Sequence, residues 1–317
     1  DSFRLRNKMF IVEEDTRTHN INPNFRDLYE TFTIEDTLNI MKRDFGRNLC
    51  EDIQGWWFDQ LRGGGQFETE EIYSLVARQQ KIAKDAYERN RIKHNEIAFI
   101  YDEESICFSS QNTNFEAIEF MRDYEISRVG ASVDTYFHND LANPNMPSYK
   151  LYVFCNVFYL SNKERRAIKA KLKKDNAVAL WMYAPGFGNP DKENTMDVEN
   201  IYELTGIKVE MKDYVLSPKF KINGEEHPLT LGLDKGQIYG YNYRFRQHNA
   251  NRGDFSNTML LYPAFYSVDK GAKNLGYFLQ EMEPTPALTI KEMDGWTSIF
   301  CGTRVLRSDV IRETAKY

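Results

Sequence analysis

The chain has little of what announces metal, redox or membrane chemistry. Its four cysteines, Cys50, Cys107, Cys155 and Cys301, are scattered over 317 residues. None stands in a Cys-x-x-Cys pair, which excludes a zinc ribbon or a thioredoxin-type motif and leaves buried free thiols as the expectation. The five histidines (His19, His94, His138, His227, His248) are equally dispersed, so no metal site and no cofactor are expected. Positive charge is not in excess: 41 Lys and Arg face 47 Asp and Glu, for a net charge of −6. A nucleic-acid-binding surface would be basic, so no nucleic-acid partner is expected. No apolar run approaches the roughly 20 residues that span a bilayer, so no membrane partner is expected either. A signal-peptide pattern is missing as well. What the chain does have is core material. Hydrophobic residues make up 41 % and aromatics 14 %, with 21 Phe and 19 Tyr, enough for two domains.

The most chemically loaded stretch is Lys8–His19. Met9 to Val12 is a short apolar run with the β-branched content of a buried parallel strand. It delivers Glu13, Glu14, Asp15, Arg17 and His19 within a few residues. A buried strand ending in ionisable groups is how (β/α) barrels carry chemistry, because their sites lie at the strand C-terminal ends. A strand running into a charged, solvated loop has the same pattern. A second strand-like run, Asp52–Leu61, sets Trp56 beside Trp57 and is followed by the glycine-rich Arg62–Gln66. Between the two runs Thr33 and Asp36 form an N-terminal capping signature, Ile34, Leu38, Met41 and Phe45 recur at helical spacing, and Gly46 is the expected stop. A second helix opens at Thr69, with Ile72, Leu75, Val76, Ile82, Ala83 and Ala86 as its apolar members. The result is a β-α-β-α unit.

A polar stretch, Arg89–Asn95, marks a domain boundary, after which the pattern restarts. Strands are expected at Glu96–Tyr101, Ser132–Phe137, Tyr149–Phe158 and Ala177–Tyr183. A helix is expected over about Asn114–Val129, and a Pro-containing turn at Asn143–Ser148. Ser161 and Glu164 form a capping box opening a basic helix, whose Lys169, Lys171, Lys173 and Lys174 read as a solvated face. Strands alternating with capped helices imply a parallel, doubly wound sheet. Further on, Val209–Val215 and Phe220–Ile222 read as short strands with Asn223-Gly224 as a hairpin turn. Leu229–Leu233 and Tyr239–Phe245 read as further strands, and Arg244–Asp254 as a surface loop. Leu260–Phe265, Ala287–Lys291 and Thr297–Cys301 are expected at the far end of the same sheet, and a helix over Ser308–Lys316 closes the chain. Cys155 ends the strongest strand, but it lacks the flanking glycines of a nucleophile elbow and no histidine–acid pair follows it. Gly186-Phe187-Gly188-Asn189-Pro190 lacks the Lys-Ser/Thr of a phosphate loop.

Val12-Glu13-Glu14-Asp15 followed by Gly55-Trp56-Trp57-Phe58-Asp59 resembles the last two strands of the catalytic barrel in glycoside hydrolase family 42, the β-galactosidase family. Tyr149–Phe154, Trp181–Gly186, Glu203–Gly206, Pro286–Leu288 and Asp294–Ser298 resemble the domain that follows that barrel. That domain is a flavodoxin-like fold related to class I glutamine amidotransferases and called the trimerisation domain. The resemblance implies an α/β protein with two parts. Residues 1–92 would be the last two β/α units of a TIM-type (β/α)8 barrel, and residues 93–317 the doubly wound amidotransferase-like domain. It implies Glu13 as the nucleophile of a retaining glycosidase, with Glu14 one residue away as the alternative. Trp56, Trp57, Asp59, Arg17 and His19 would line the sugar site, Arg17 also orienting Glu13 and favouring its ionised state. His19 serves equally to cap a loop. The general acid/base comes, in the family, from an earlier strand that these residues do not include, so the chain is expected to be a piece of a larger enzyme and inactive alone. Also implied are a carbohydrate substrate, a trimeric homo-oligomer, and a soluble protein of the bacterial cytoplasm or periplasm. The residues after Glu13 depart from those of characterised β-galactosidases, which leaves other pyranosides open. A second reading is an oligomerisation or carbohydrate-binding module without catalysis.

Overall fold

The computed structural model describes residues 1–21, 31–59, 64–89, 93–109, 116–240, 260–279 and 283–317. The chain divides into two compact units, one of Asp1 and Phe3–His94, the other of Ser2 and Asn95–Tyr317.

The first unit is a β-α-β-α run. β1 (Ile11–Glu14) and β2 (Gln54–Trp57) pair in parallel, with Glu13 opposite Trp56 and Glu14 opposite Trp57. α1 (Ile34–Glu51) opens on the expected cap. The Thr33 side chain accepts from the Asp36 N–H, and the Asp36 carboxylate accepts from the Thr33 N–H at 2.9 Å. Its buried stripe, Thr37, Met41, Asp44 and Asn48, follows the helical repeat. Gly46 does not end it. The helix runs on to Glu51 and stops where Asp52 turns left-handed at φ 58°, because a glycine inside a packed helix costs only about 1 kcal/mol. α2 (Glu70–Tyr87) is capped by Thr69 and packs on α1, where Gln79 Nε2 donates to the Met41 carbonyl at 3.1 Å.

Two expectations fail here. β1 starts later than Met9–Val12 and is not buried: Met9 is 74 % and Ile11 51 % exposed. β2 is four residues long rather than Asp52–Leu61, since Asp52 belongs to the helix stop; residues 60 and 61 lie outside the described set. Among the described residues the two-stranded pair is covered by helices on one face only, which leaves the other face and its apolar side chains open.

The second unit is built on an eight-stranded sheet in the order β4-β3-β5-β6-β12-β11-β10-β8. β3 (Ile97–Tyr101), β4 (Val133–Phe137), β5 (Leu151–Phe154), β6 (Val178–Met182) and β12 (Trp296–Cys301) are parallel to their neighbours. β11 (Pro286–Met293), β10 (Lys273–Phe278) and β8 (Phe220–Ile222) continue it antiparallel. The parallel sheet expected from the sequence is present over five strands and is extended at one edge by three antiparallel ones. β3, β5 and β6 are buried along nearly their whole length, as strands covered on both faces must be. In the core Trp181 stacks on Phe154 at 4.1 Å and donates from Nε1 to Ser298 Oγ at 3.1 Å. Burying roughly 200 Å² of indole contributes on the order of 5 kcal/mol.

β7 (Val209–Lys212) and β9 (Ala264–Ser267) form a separate antiparallel pair rather than lying in the main sheet. Asn223-Gly224 closes no two-residue hairpin, because β8 pairs with the distant β10. Pro228–Thr230, inside the expected strand Leu229–Leu233, is a 3-10 turn opened by His227, whose Nδ1 accepts from the Leu229 N–H. The helix expected over Asn114–Val129 is π-helical at Glu116–Glu125 and tightens to 3-10 at Ile126–Arg128; residues 114 and 115 lie outside the described set, as does 241–259 with its expected strand and loop.

α3 (Asn162–Asp175) carries the Ser161–Glu164 capping box, and α4 (Val198–Thr205) is capped by Asp197. α5 (Ser308–Lys316) matches the expected closing helix. Lys171 is not on a solvated face. It is 6 % exposed, pairs with Asp175 at 2.8 Å and donates to the Pro147 carbonyl. All four cysteines are free; Cys155 and Cys301 are buried, whereas Cys50 and Cys107 are exposed. No helix among the described residues is long and apolar enough to cross a membrane.

Candidate functional site

Strand alternation decides what the acidic stretch presents. Val12 and Glu14 face the helices. Glu14 Oε1 accepts from Asn48 Nδ2 of α1 at 2.7 Å, and a Cβ at Gly55 would meet the same Asn48 at 2.7 Å and Val12 at 3.6 Å. Ile11 and Glu13 point the other way and are exposed, as is Trp56, the register partner of Glu13. Glu13 makes no hydrogen bond or ion pair among the described residues. A carboxylate and an indole therefore share the open face, with Phe58 edge-on to Trp56 at 5.5 Å. Trp57, with Glu14, faces the helix side and contacts Phe67 at 6.0 Å. On that side a groove of about 650 Å³ runs between β2 and the two helices, lined by Glu14, Trp57, Gln79 and Tyr87 and bordered by Trp56, but not lined by Glu13.

The remaining sequence candidates brace the loops at the C-terminal ends of the two strands. Arg17 does not reach Glu13. Its Nη1 donates to the Asp15 carbonyl at 3.1 Å and lies 3.6 Å from the Asp15 carboxylate, a nearer negative charge on the same loop. His19 binds Thr37 of α1 through both its backbone N–H (2.9 Å) and Nδ1 (3.1 Å), which is the loop-capping role. Asp59 Oδ2 accepts from the Gly65 N–H at 2.7 Å and from Gln66 at 3.3 Å, closing a turn whose Gly64 (φ 80°) and Gly65 (φ 105°) need glycine. Gln66 Nε2 returns a bond to the Phe58 carbonyl, and its own carbonyl accepts from Thr18 Oγ1. Thr16 Oγ1 donates to Asp44 at 2.9 Å. The strand ends are thus held by a polar lattice that, among the described residues, leaves Glu13 unbonded.

In the second unit the C-terminal edge of the parallel strands gathers Cys155, which the sequence singles out, with groups that it does not flag. Asp102 follows β3, His138 follows β4, and Cys155 and Asn156 follow β5. Strand order reverses at β3 and β5, which is where doubly wound sheets open their ligand crevice. His138 lies between two carboxylates, with Nδ1 3.0 Å from Asp102 and Nε2 2.8 Å from Glu164. Burial opposes its charge, but hydrogen bonding and the two negative charges outweigh burial and push its pKa up to about 10. The same contact pulls Glu164 down to about 2, against its own burial. Cys155 is buried with its N–H bonded to the Ile100 carbonyl, and it is not among the left-handed residues. The left-handed residue at a strand end is Tyr183 (φ 63°), whose hydroxyl donates to the Pro263 carbonyl at 2.6 Å.

No protein-family model matches this chain, and no curated protein matches it in sequence. Solved structures do. The β-galactosidase of Bacillus circulans sp. alkalophilus superposes with a TM-score of 0.61 at 12 % identity, over 97 % of this chain and 44 % of that one. Gan42B, a GH42 β-galactosidase from G. stearothermophilus, gives 0.54 at 14 % identity over 89 % of this chain and 39 % of its own. The β-galactosidase of Rahnella sp. R3 gives 0.54 at 15 %, over 84 % and 39 %. The chain spans about two fifths of the length of these three enzymes, and over that span it has the fold seen in GH42 β-galactosidases.

Proposed function

We propose that this chain is the C-terminal part of a retaining glycoside hydrolase acting on β-galactosides or related pyranosides. In this reading β1-α1-β2-α2 is the last pair of β/α units of a (β/α)8 barrel, and the second unit is its flavodoxin-like, amidotransferase-like trimerisation domain. The observation that carries the reading is the register of β1 on β2. It sets Glu13 and Trp56 side by side on the face turned away from the helices, the face that points into a closed barrel. Glu13, not Glu14, is then the nucleophile, since Glu14 is occupied by Asn48 on the helix side. Trp56 is the sugar platform. Trp57, Arg17, His19 and Asp59 support the site instead of touching sugar.

The chemistry is that of two carboxyl groups about 5–5.5 Å apart. Glu13 attacks the anomeric carbon while the second carboxyl protonates the departing oxygen. Water, deprotonated by that same second group, then releases the sugar from Glu13. We assign the second carboxyl to polypeptide outside these 317 residues.

The test is turnover of a panel of aryl β-glycosides by the full-length natural protein that carries this chain, alongside Glu13→Gln and Glu14→Gln. Glu13→Gln should abolish turnover by at least about 10³-fold, and Glu14→Gln should retain it within about tenfold. Equal loss in both would undo the assignment. The alternative reading, a sugar-binding or oligomerising module without catalysis, draws on the exposed Trp56–Phe58 pair. It prevails if the wild type binds sugars and turns over none of them.

A further inference from the structure

We infer that Asp102, Glu103 and His138 form a site for one divalent transition-metal ion, Zn²⁺ or a close relative, at the C-terminal edge of β3 and β4.

The argument begins with the histidine. Its side chain is 1 % exposed and its Nε2 lies 2.8 Å from the Glu164 carboxylate. Glu164 is itself fixed by the Ser161 N–H at 2.7 Å and the Ser161 hydroxyl at 2.6 Å. A carboxylate on Nε2 is the arrangement that orients metal-binding imidazoles and leaves Nδ1 as the ligand atom. Nδ1 lies 3.0 Å from Asp102 Oδ1 as an ion pair and forms no hydrogen bond of ordinary geometry. A ring nitrogen and a carboxylate oxygen that close call for positive charge between them, which a proton on Nδ1 supplies when no metal is bound and a metal ion would supply in its place. Two ligands each about 2.1 Å from a shared ion stand roughly 3.0–3.4 Å apart at the angles metals favour, which is the separation observed.

Two further features point the same way. Glu103 Oε2 is buried and has no hydrogen-bond partner, an orphan acceptor that a cation would satisfy. One ligand atom from each of Asp102, Glu103 and His138 lies within 4.8 Å of the others. The second oxygen of Asp102 accepts from Ser105 Oγ at 2.5 Å, and Asp102 Oδ1 also accepts from the Glu104 N–H at 2.9 Å. Ser105 is held in turn by the backbone N–H groups of Phe158 and Tyr159, both at 3.0 Å. The first ligands are thus oriented by a second layer of bonds, as in built metal sites. One imidazole and two carboxylates suit Zn²⁺ better than Mg²⁺ or Ca²⁺.

The experiment is equilibrium dialysis of the chelator-treated full chain against Zn²⁺, with bound metal counted per chain, for wild type, His138→Gln and Glu103→Gln. Co²⁺ loading of the same proteins reports the ligand field by visible absorption. The expected result is one ion per wild-type chain, raising the melting temperature. Binding should fall at least tenfold in both variants, while Glu103→Gln melts like the wild type in chelator. The inference is overturned if wild type binds no more Zn²⁺ than His138→Gln, or if both variants keep the ion, which would place it elsewhere. It is also overturned if nitrogen NMR shows a doubly protonated His138 imidazolium that saturating Zn²⁺ leaves unchanged.

Discussion

Arg165 is the residue whose replacement tests the packing of the second unit most sharply. It lies on α3, is 4 % exposed, and spends its guanidinium on four backbone carbonyls. Nε donates to Leu160 at 2.9 Å, Nη1 to Asn200 at 2.6 Å, and Nη2 to Gly186 at 2.5 Å and Gly188 at 2.9 Å. The Gly186–Asn200 loop and the start of α4 are therefore tied to α3 through one side chain. Burial pulls its pKa down to about 10, so it stays charged at neutral pH. Arg165→Met keeps the stem and removes every donor. The Gly188 carbonyl keeps the Leu160 N–H at 3.0 Å. Each buried carbonyl left without a partner costs about 1–3 kcal/mol, and loop relaxation lets water recover some of them. The expected loss is about 3–6 kcal/mol, a large part of the 5–15 kcal/mol that holds a typical domain. Arg165→Lys should recover less than half, since an ammonium cannot span four acceptors in a plane. Urea denaturation of the chain gives the magnitude, and amide exchange over Gly186–Asn200 shows where it is lost. A Met variant within about 1 kcal/mol of wild type would refute the argument that this side chain organises the loop.

Other outcomes follow from the same contacts. Burial opposes the charge of Asp175, but bonds from Lys171 and Tyr152 outweigh it and hold the folded pKa below the usual value. A depressed carboxylate stabilises above its unfolded pKa of about 3.9 and loses that stability as pH falls through the folded value. The urea midpoint of wild type should therefore drop more steeply below about pH 4 than that of Asp175→Asn, which should be the less stable protein at pH 7. Gly206 caps α4 at φ 73°, and a Cβ there would fall 2.2 Å from Met293 Cε. Gly206→Ala should cost about 1–3 kcal/mol by thermal or chemical melting. Trp56→Ala should weaken sugar binding at least about tenfold with little change in stability, whereas Trp57→Ala should destabilise the first unit by about 2 kcal/mol. Calorimetric titration and melting curves separate the two.

Local signals were readable where the chemistry is local. Thr33 with Asp36, Thr69, and Ser161 with Glu164 mark helix starts in the sequence, and each caps a helix in the structure. The buried runs of β3, β5 and β6 were equally plain. The antiparallel extension of the sheet was not. β10, Lys273–Phe278, carries a glycine and alternates poorly, and its partners β8 and β11 are chosen by tertiary packing rather than by adjacent turns. Lys171 reads as a surface charge because nothing nearby in sequence shows that Asp175 and the Pro147 carbonyl enclose it. At the candidate site Glu13 and Trp56 were both legible as residues. Which of Glu13 and Glu14 faces away from the helices depends on strand register, and a one-residue slip reverses it. Asp102 and His138 come together only because β3 and β4 are neighbours, a pairing that no motif spacing encodes.

The measurement that bears most directly on the central claim is covalent trapping. The full-length protein is incubated with an activated 2-deoxy-2-fluoro β-glycoside, digested, and the labelled peptide sequenced by mass spectrometry. A retaining mechanism run by the carboxylate beside Trp56 predicts one sugar per active site, carried on Glu13. A label on Glu14, or steady turnover of the parent glycoside with no label in this segment, would contradict it.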